Sequence, residues 1–215
     1  MGPVIGITAD LCEERHRVGA NYALAISKAG GMPIILPPIV GMENHYFEIC
    51  DGFIFSGGDD PIMEEWGIAT HEKAIPISKI RQTFELNLLR ILQTHTEKPV
   101  FGICLGMQLM GLFSGGSIEQ HLEGEIGDMH SSGSHSIEGI FGTGTVHTNH
   151  HQAITHPGSL EIVAVATDGT IEAIADKSKA WYIGVQWHPE KTSDDKLGHS
   201  LFSDFIEAAS VAISR

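Results

Sequence analysis

Short apolar runs separated by helix-length segments constrain the fold of this chain more than any other feature. Buried parallel strands have this near-continuous apolar composition. Four such runs occupy residues 4–8, 34–36, 53–55 and 100–103. Between the first two, a helical pattern spans residues 22–29 and stops at two glycines, as helices commonly do. The repeated pattern predicts an α/β fold built from strand–helix–strand units.

A second crossover helix is predicted over residues 78–95, before Lys98-Pro99 and the next strand. Its spacing places five apolar residues on one face: Ile80, Phe84, Leu88, Ile91 and Leu92. Sites in open α/β sheets form beyond the carboxyl ends of the strands. Residues that directly follow the predicted strands are therefore the first candidates for a functional site.

The alternation of predicted strands and helices changes after residue 104. A short helix is predicted over residues 109–113, and residues 127–150, rich in Gly, Ser and His, are interpreted as loop and hairpin. Later strands are predicted at 162–165, 171–174 and 183–187, with a hairpin turn at 167–170 and a final helix at 197–212. The whole chain, residues 1–215, is expected to form one domain, with an open, mostly parallel sheet flanked by helices and a late antiparallel portion.

Charge and cysteine content narrow the class of protein. The chain has 13 Lys and Arg against 27 Asp and Glu, so nucleic acid and acidic membrane surfaces would be repelled. Three cysteines are too few for a disulfide-stapled secreted domain. No secretory signal pattern opens the sequence, and no apolar window is long enough to span a bilayer. We expect a soluble cytoplasmic protein.

Cys104 lies at the centre of the segment GICLG, which joins a predicted strand directly to a predicted helix. Small residues around a nucleophile at such a turn form an elbow that exposes the central side chain in a strained conformation. A helix N-terminus beneath the sulfur favours the reactive thiolate. The alternative is a buried small hydrophobic residue, the commonest state of a free cysteine, which is also how Cys12 and Cys50 are interpreted.

His188 and Glu190 follow an apolar strand in the segment WHPE. Two residues apart on an extended chain, they would share one face, and Pro189 disfavours helix there. The carboxylate could then fix the imidazole tautomer while the other ring nitrogen serves the sulfur. An oxyanion would need preorganised donors. The Leu105 N–H and the Gly58 N–H in the glycine turn at residues 56–61 are candidates, although that turn alone could be an ordinary loop.

Together these motifs resemble the class I glutamine amidotransferase superfamily, and within it the γ-glutamyl-γ-aminobutyrate hydrolase-like, peptidase C26 group. The resemblance covers nearly the whole chain and implies a flavodoxin-like α/β fold. It rests on PVIGIT, YALAISKAGGMPIILP, SGGDDP, RQTFEL, GICLGMQLMGLFSGGSIEQ, HHQAI, and DGTIEAI followed by GVQWHPE. It departs from the group after the nucleophile, where LGMQ replaces the usual Arg-Gly-His-Gln, and before HHQ, where His147-Thr148 replaces Asn-Ser.

The resemblance implies Cys104 as nucleophile, His188 as general base and acid, and Glu190 as the residue that orients it. Gly58 and Leu105 would be the oxyanion donors. The implied substrate-binding residues are Gln108, His150, His151, Gln152 and Arg81. Alternatives stay open for four of these positions. Gln108 could face outward on its helix, the two histidines could be loop residues or metal ligands, and Arg81 with Glu85 could be a surface i,i+4 pair.

Neither a metal nor an organic cofactor is expected, because no carboxylate or cysteine at metal-ligand spacing accompanies the histidine pair. The expected activity is cleavage of a γ-glutamyl amide through a thioester, with helix N-termini and Arg81 supplying a positive field for the small γ-glutamyl substrate or glutamine. A glutaminase subunit with a synthase partner, and a non-hydrolytic binding or redox-sensing protein, are the alternatives. The leaving amine and the oligomeric state, including a homodimer, are left open.

Overall fold

The computed structural model describes residues 2–213. Its strands, in chain order β1 to β13, are Val4–Thr8, Asp10–Cys12, Arg15–Arg17, Met32–Leu36, Gly52–Phe55, Val100–Ile103, Ser117–Glu119, Gly133–Gly139, Gly142–Thr148, Ala153–His156, Glu161–Ala166, Ile171–Ala175 and Tyr182–Val185. Its helices, α1 to α6, are Ala20–Lys28, Glu43–Ile49, Lys79–Gln93, Leu105–Phe113, Gly124–Ser131 and His199–Ile213, with a short 3-10 helix at Met63–Trp66.

A nine-stranded sheet organises the molecule, in the order β4-β1-β5-β6-β13-β12-β11-β8-β9. The first five strands are parallel to one another, and the remaining four are added antiparallel. The pairs β2–β3 and β7–β10 form separate two-stranded sheets. The predicted fold class, a mostly parallel sheet with a late antiparallel portion, is confirmed.

Successive side chains of the central strands point to opposite faces of the sheet, which divides the core into two layers. On β5, Ile54 packs in the layer that contains α1 and α6, whereas Phe53 and Phe55 pack in the layer that contains α3 and α4. All three side chains are fully buried, as expected for a strand covered by helices on both faces. Among residues 2–213, no helix is both long enough and apolar enough to cross a membrane.

The late part of the chain follows the sequence predictions with two differences. The hairpin β11–β12 turns where expected, and β8–β9 form a second hairpin. The strand predicted over residues 183–187 ends at Val185, because the chain bends at the next two residues. Helix α5 was not predicted, since a segment with two glycines and little apolar surface has no clear helical signal.

Helix α3 begins after Ser78, whose hydroxyl accepts a hydrogen bond from the Ile80 N–H at 3.2 Å. The predicted apolar face is partly wrong. Ile80 is 48% exposed, although Phe84, Leu88 and Leu92 are fully buried and Ile91 is half-buried. The inward face at the start of the helix is instead occupied by Arg81 and Glu85, both fully buried.

Close packing of α4 against the sheet requires glycine at position 106. A Cβ there would lie 2.1 Å from the Phe55 carbonyl oxygen, a backbone atom that cannot rotate away. Gly102 on β6 is similarly enclosed, because its Cβ would lie 2.8 Å from the Gly106 carbonyl carbon. The two glycines therefore let β5, β6 and α4 approach more closely than side chains would allow.

We predict that Gly106→Ala destabilises the protein by about 1–3 kcal/mol, because the added methyl group overpacks a rigid site. Urea unfolding followed by circular dichroism measures the change. Gly19→Ala is the matched control, since its Cβ would meet nothing closer than 3.6 Å and its φ is −60°. Equal stability of the two variants would contradict the argument.

Candidate active site

Cys104 occupies the sharp turn between β6 and α4, with φ 54° and ψ −107°. Positive φ is strained for a residue that carries a Cβ, and such strain clusters at functional sites. The Cys104 N–H donates to the Val185 carbonyl oxygen at 2.8 Å. The side chain is 5% exposed and lines a cavity. The predicted elbow geometry is therefore present.

His188 and Glu190 are held in a turn rather than on the extended segment we expected. The Lys191 N–H donates to the His188 carbonyl oxygen at 3.0 Å, which places Pro189 at the second position of a four-residue turn, where its fixed φ is favourable. The predicted pairing is nevertheless present, with His188 Nδ1 2.8 Å from Glu190 Oε1. The carboxylate thus accepts the Nδ1 hydrogen and leaves Nε2 for another group.

His188 lies next to Cys104 in a buried environment. A Cβ built on Gly57 would be 3.2 Å from His188 Cε1 and 3.5 Å from Cys104 Cβ, so both side chains pack against that glycine. Burial lowers the pKa of His188, but its interactions with Cys104 and Glu190 outweigh burial and raise the pKa to about 10. The imidazolium form is therefore favoured at neutral pH.

The glycine turn after β5 lies beside Cys104. The Gly57 N–H already donates to Tyr22 Oη at 3.0 Å, so Gly58 is the next residue whose N–H can face a ligand. Gly58 lines the same cavity as Cys104. Leu105 begins α4 directly after Cys104, and the first N–H groups of a helix have no intrahelical acceptor.

The Arg81 side chain holds this glycine turn through hydrogen bonds. Its Nη2 donates to the Ser56 carbonyl oxygen, to Ser56 Oγ and to the Gly57 carbonyl oxygen at 3.0–3.1 Å. Its Nε donates to Glu85 Oε1 at 2.9 Å. Because the pair is completely buried, the surface-pair interpretation is wrong.

The cavity beside Cys104 has a volume of about 250 Å³. It brings together four of the five predicted substrate-binding residues. Its lining consists of Gly58, Asp59, Asp60, Ile75, Cys104, Gln108, Ser131, Asn149, His150, His151 and Gln152. Arg81 is not among these residues, so its guanidinium acts on the glycine turn rather than on this cavity.

Gln108 is buried, which excludes the outward-facing alternative. Its Nε2 donates to Gln186 Oε1 at 3.3 Å, and Gln186 Nε2 in turn donates to Cys104 Sγ at 3.6 Å. Gln186 was not predicted as a site residue. A polar residue inside an apolar strand, two positions before His188 in the GVQWHPE motif, could have indicated it.

The positive field expected from Arg81 stays a prediction, because Arg81 does not line this cavity but lies next to Gly58, which does. Asp59 and Asp60 line the cavity, and Asp60 Oδ2 is paired with His151 Nε2 at 3.0 Å. An adjoining cavity, which shares Cys104 and Asp59, is also lined by His188 and Lys191. These two basic residues therefore border a cavity that contains the sulfur.

A second cluster of titratable residues adjoins the cavity. We expected no carboxylate to accompany the histidine pair at residues 150–151, but Glu172 lies close to His150. Glu172 Oε1 lies 3.2–3.5 Å from ring nitrogens of His130, His135 and His150. We call these four buried residues the histidine–glutamate cluster. Burial raises the pKa of Glu172, but the three histidines outweigh it and hold the pKa well below its usual range. Of the described residues, His130, His135 and Glu172 have ligand atoms close enough to share a metal ion.

We predict that Arg81→Met lowers the free energy of unfolding by about 3–5 kcal/mol, because Glu85 would keep a buried charge without its partner. Urea unfolding measures this loss. Arg90→Met, on the exposed side of the same helix, is the matched control and should change stability by less than about 0.5 kcal/mol. A mild effect of both variants would show that the buried pair does not stabilise the fold.

We also predict that His188 titrates near pH 10 in the wild-type protein and at a lower pH in Cys104→Ala, because the variant lacks the thiolate. The raised pKa stabilises the folded state fully below the pKa of the unfolded imidazole, near 6.5, and this contribution is lost as the pH rises toward 10. NMR titration of the imidazole carbons, assigned with His188→Gln, measures both values. An unchanged pKa in Cys104→Ala would disprove the pairing.

Comparison with known proteins agrees with this geometry. The family model for peptidase C26 matches residues 3–190. A Mycobacterium tuberculosis protein provisionally named as a glutamine amidotransferase is 33% identical, over 97% of this chain and 75% of its own length. The glutamine-hydrolyzing GMP synthase of Francisella philomiragia is 35% identical over 72% of this chain, which corresponds to 27% of that protein.

The fold has a counterpart among solved structures. A Thermoplasma acidophilum protein, provisionally described as one subunit of a GMP synthase, superposes with a TM-score of 0.73 at 17% identity and covers 100% of this chain and 97% of its own. At that identity the likeness concerns the fold. Together with the sequence matches, it shows that this chain is a class I glutamine amidotransferase-like protein of the peptidase C26 family.

Proposed function

We propose that this protein hydrolyses the γ-glutamyl amide bond of a small γ-glutamyl compound, with Cys104, His188 and Glu190 as its catalytic triad. One observation carries the proposal. The strained Cys104 elbow lies on the cavity wall next to a buried His188, whose Nδ1 is held by Glu190 at 2.8 Å. A structural cysteine needs no such partner, whereas nucleophilic catalysis needs a base in this position.

The first half of the reaction forms a thioester. The Cys104 thiolate adds to the γ-carbonyl carbon, and the carbonyl π electrons move to oxygen, where the Gly58 and Leu105 N–H groups stabilise the anion. When the carbonyl re-forms, the C–N bond breaks and the departing amine takes the Nε2 proton of His188. The raised pKa of His188 keeps this proton available at neutral pH.

The second half releases glutamate. Neutral His188 removes a proton from water, and the resulting hydroxide adds to the thioester carbon. Collapse of this second tetrahedral intermediate breaks the C–S bond and restores the thiolate opposite the imidazolium. Glu190 keeps its hydrogen bond to Nδ1 in both halves and so maintains the ring orientation.

Arg81 has an indirect role in this scheme. The turn that supplies Gly58 contains two successive glycines, which gives its backbone wide conformational freedom. The three hydrogen bonds from Arg81 Nη2 to Ser56 and Gly57 fix that backbone. Arg81 is therefore proposed as a positioning residue, and Gln108, His150, His151 and Gln152 as the residues that surround the glutamyl group.

A glutaminase subunit is the second candidate function, and the similarity to GMP synthase favours it. The matched part is 27% of that protein, so a relative exists in which a similar segment belongs to a larger glutamine-hydrolysing enzyme. In this case the same residues would hydrolyse glutamine and a synthase partner would receive the ammonia. Activity would then be weak without that partner.

The test is glutamate release from a panel of γ-glutamyl amides and from free glutamine. We predict turnover by the wild-type protein and a loss on the order of 10⁴-fold or more in Cys104→Ala, because the nucleophile and its base act as a unit. The preferred substrate identifies the leaving amine. Cys12→Ala is the matched control, since Cys12 is a partly exposed cysteine on another element.

Three results would contradict the stand-alone hydrolase. Equal turnover in wild type and Cys104→Ala would assign the activity to another group. No turnover by a folded protein, together with covalent labelling of Cys104 by an electrophilic glutamine analogue, would favour the partner-dependent glutaminase. Absence of both turnover and labelling would favour a binding protein.

A further inference from the structure

Three residues of the histidine–glutamate cluster have ligand atoms close enough to share one metal ion: His130, His135 and Glu172. Glu172 Oε1 lies 3.3 Å from His130 Nδ1 and 3.2 Å from His135 Nε2. A zinc ion with bonds of about 2.0–2.1 Å holds tetrahedral ligand atoms about 3.3–3.4 Å from one another, and both separations match that spacing. His150 Nε2 lies 3.5 Å from Glu172 Oε1 and 3.2 Å from His130 Nδ1, but it is not part of this set.

The outer hydrogen bonds of two histidines direct their lone pairs into the cluster. His130 Nε2 lies 3.0 Å from Asp168 Oδ2, and His150 Nδ1 lies 2.9 Å from the Gln152 carbonyl oxygen. Both partners are acceptors, so these nitrogens carry the hydrogens. In the neutral rings the facing atoms, His130 Nδ1 and His150 Nε2, then both present lone pairs. Carboxylate and carbonyl partners of this kind also orient metal-bound histidines in known sites.

The acceptors inside the cluster lack donors. Both carboxylate oxygens of Glu172 and both ring nitrogens of His135 are buried without a hydrogen-bond partner among the described residues. The short contacts to Glu172 Oε1 therefore do not have hydrogen-bond geometry. A fully buried carboxylate needs a hydrogen-bond donor or a cation, and a cation bound by His130, His135 and Glu172 would satisfy both the carboxylate and the His135 ring.

We propose that His130, His135 and Glu172 bind a Zn²⁺ ion. Two imidazole nitrogens and one carboxylate oxygen form a donor set that suits zinc. Three protein ligands leave a fourth position in a tetrahedral site, and His150 Nε2, 3.5 Å from Glu172 Oε1, lies beside the set. The proposal is independent of the hydrolytic function, because Cys104, His188 and Glu190 take no part in the cluster.

The ion would join α5, β8 and β12 beside the cavity wall. His130 belongs to α5, His135 to β8 and Glu172 to β12, whereas His150 belongs to the loop before β10. His150 lines the cavity beside Cys104. Zinc would thus fix the wall of the substrate pocket by joining elements that are far apart in the sequence.

Metal content is the first test. Tag-free protein is refolded from denaturant with Zn²⁺ or with EDTA, desalted and analysed by inductively coupled plasma mass spectrometry. We expect about one zinc per chain after refolding with Zn²⁺, and a higher unfolding temperature than in the EDTA sample. Glu172→Gln and His135→Asn should lose the ion. His45→Asn, at an exposed histidine outside the cluster, should retain it.

A second variant keeps the test decisive if loss of a ligand prevents folding. Asp168→Asn preserves all three ligands and the side-chain oxygen that accepts the Thr170 N–H, but it removes the carboxylate that orients His130. We expect zinc affinity, measured by competition with a chromophoric chelator, to fall about 10–100-fold. Co²⁺ substitution should give the intense visible bands of a tetrahedral site in the wild type.

Two outcomes would overturn the proposal. One is a folded wild-type protein that retains no zinc and unfolds at the same temperature with and without added Zn²⁺. Protons on the histidine rings would then balance the charge of Glu172. The other is an equal zinc content in wild type, Glu172→Gln and His135→Asn, which would place the ion elsewhere.

Discussion

The backbone of Cys104 is held at a φ of 54°, and the candidate site is arranged around this constraint. A positive φ costs a residue with a Cβ about 1–3 kcal/mol. The surrounding structure offsets this cost through the hydrogen bond from Cys104 to Val185 and through the close packing at Gly102 and Gly106. Because β5, β6 and α4 meet without intervening side chains, the sulfur is fixed at the carboxyl edge of the sheet.

The register of the parallel strands then explains why the other groups converge on the sulfur. Phe55 of β5 pairs with Gly102 of β6, and Val185 of β13 pairs with Ile103. The glycine turn and the turn that carries His188 therefore leave the sheet at the same edge as Cys104, one on each side of it. The change from parallel to antiparallel pairing occurs at the next strand, β12, which carries Glu172. The proposed catalytic groups and Glu172 of the histidine–glutamate cluster thus arise from neighbouring strands.

The sequence alone allowed the strands, the crossover helices and the elbow to be predicted, because each depends on local spacing of apolar residues and glycines. Prediction from the sequence failed where the burial of a residue depends on segments that are distant along the chain. Arg81 and Glu85 have the same i,i+4 spacing in a surface pair and in a buried one, and only the position of Ser56 and Gly57 decides between them. The histidine–glutamate cluster was beyond sequence reasoning for a similar reason. Its members lie on four separate elements, with up to 42 positions between the first and the last, so their residue numbers contain no metal-ligand spacing.

The two buried charge networks flanking the pocket also differ in how they are neutralised. Arg81 meets the carboxylate of Glu85 directly, and its Nη1 lies 3.6 Å from Asp10 Oδ1, so carboxylates of the protein balance its charge. Glu172 faces three histidines, which balance its charge only when they are protonated or bind a cation. The glycine turn is therefore held by protein groups alone, whereas in our proposal the wall that carries His150 gains rigidity from the zinc ion that balances Glu172.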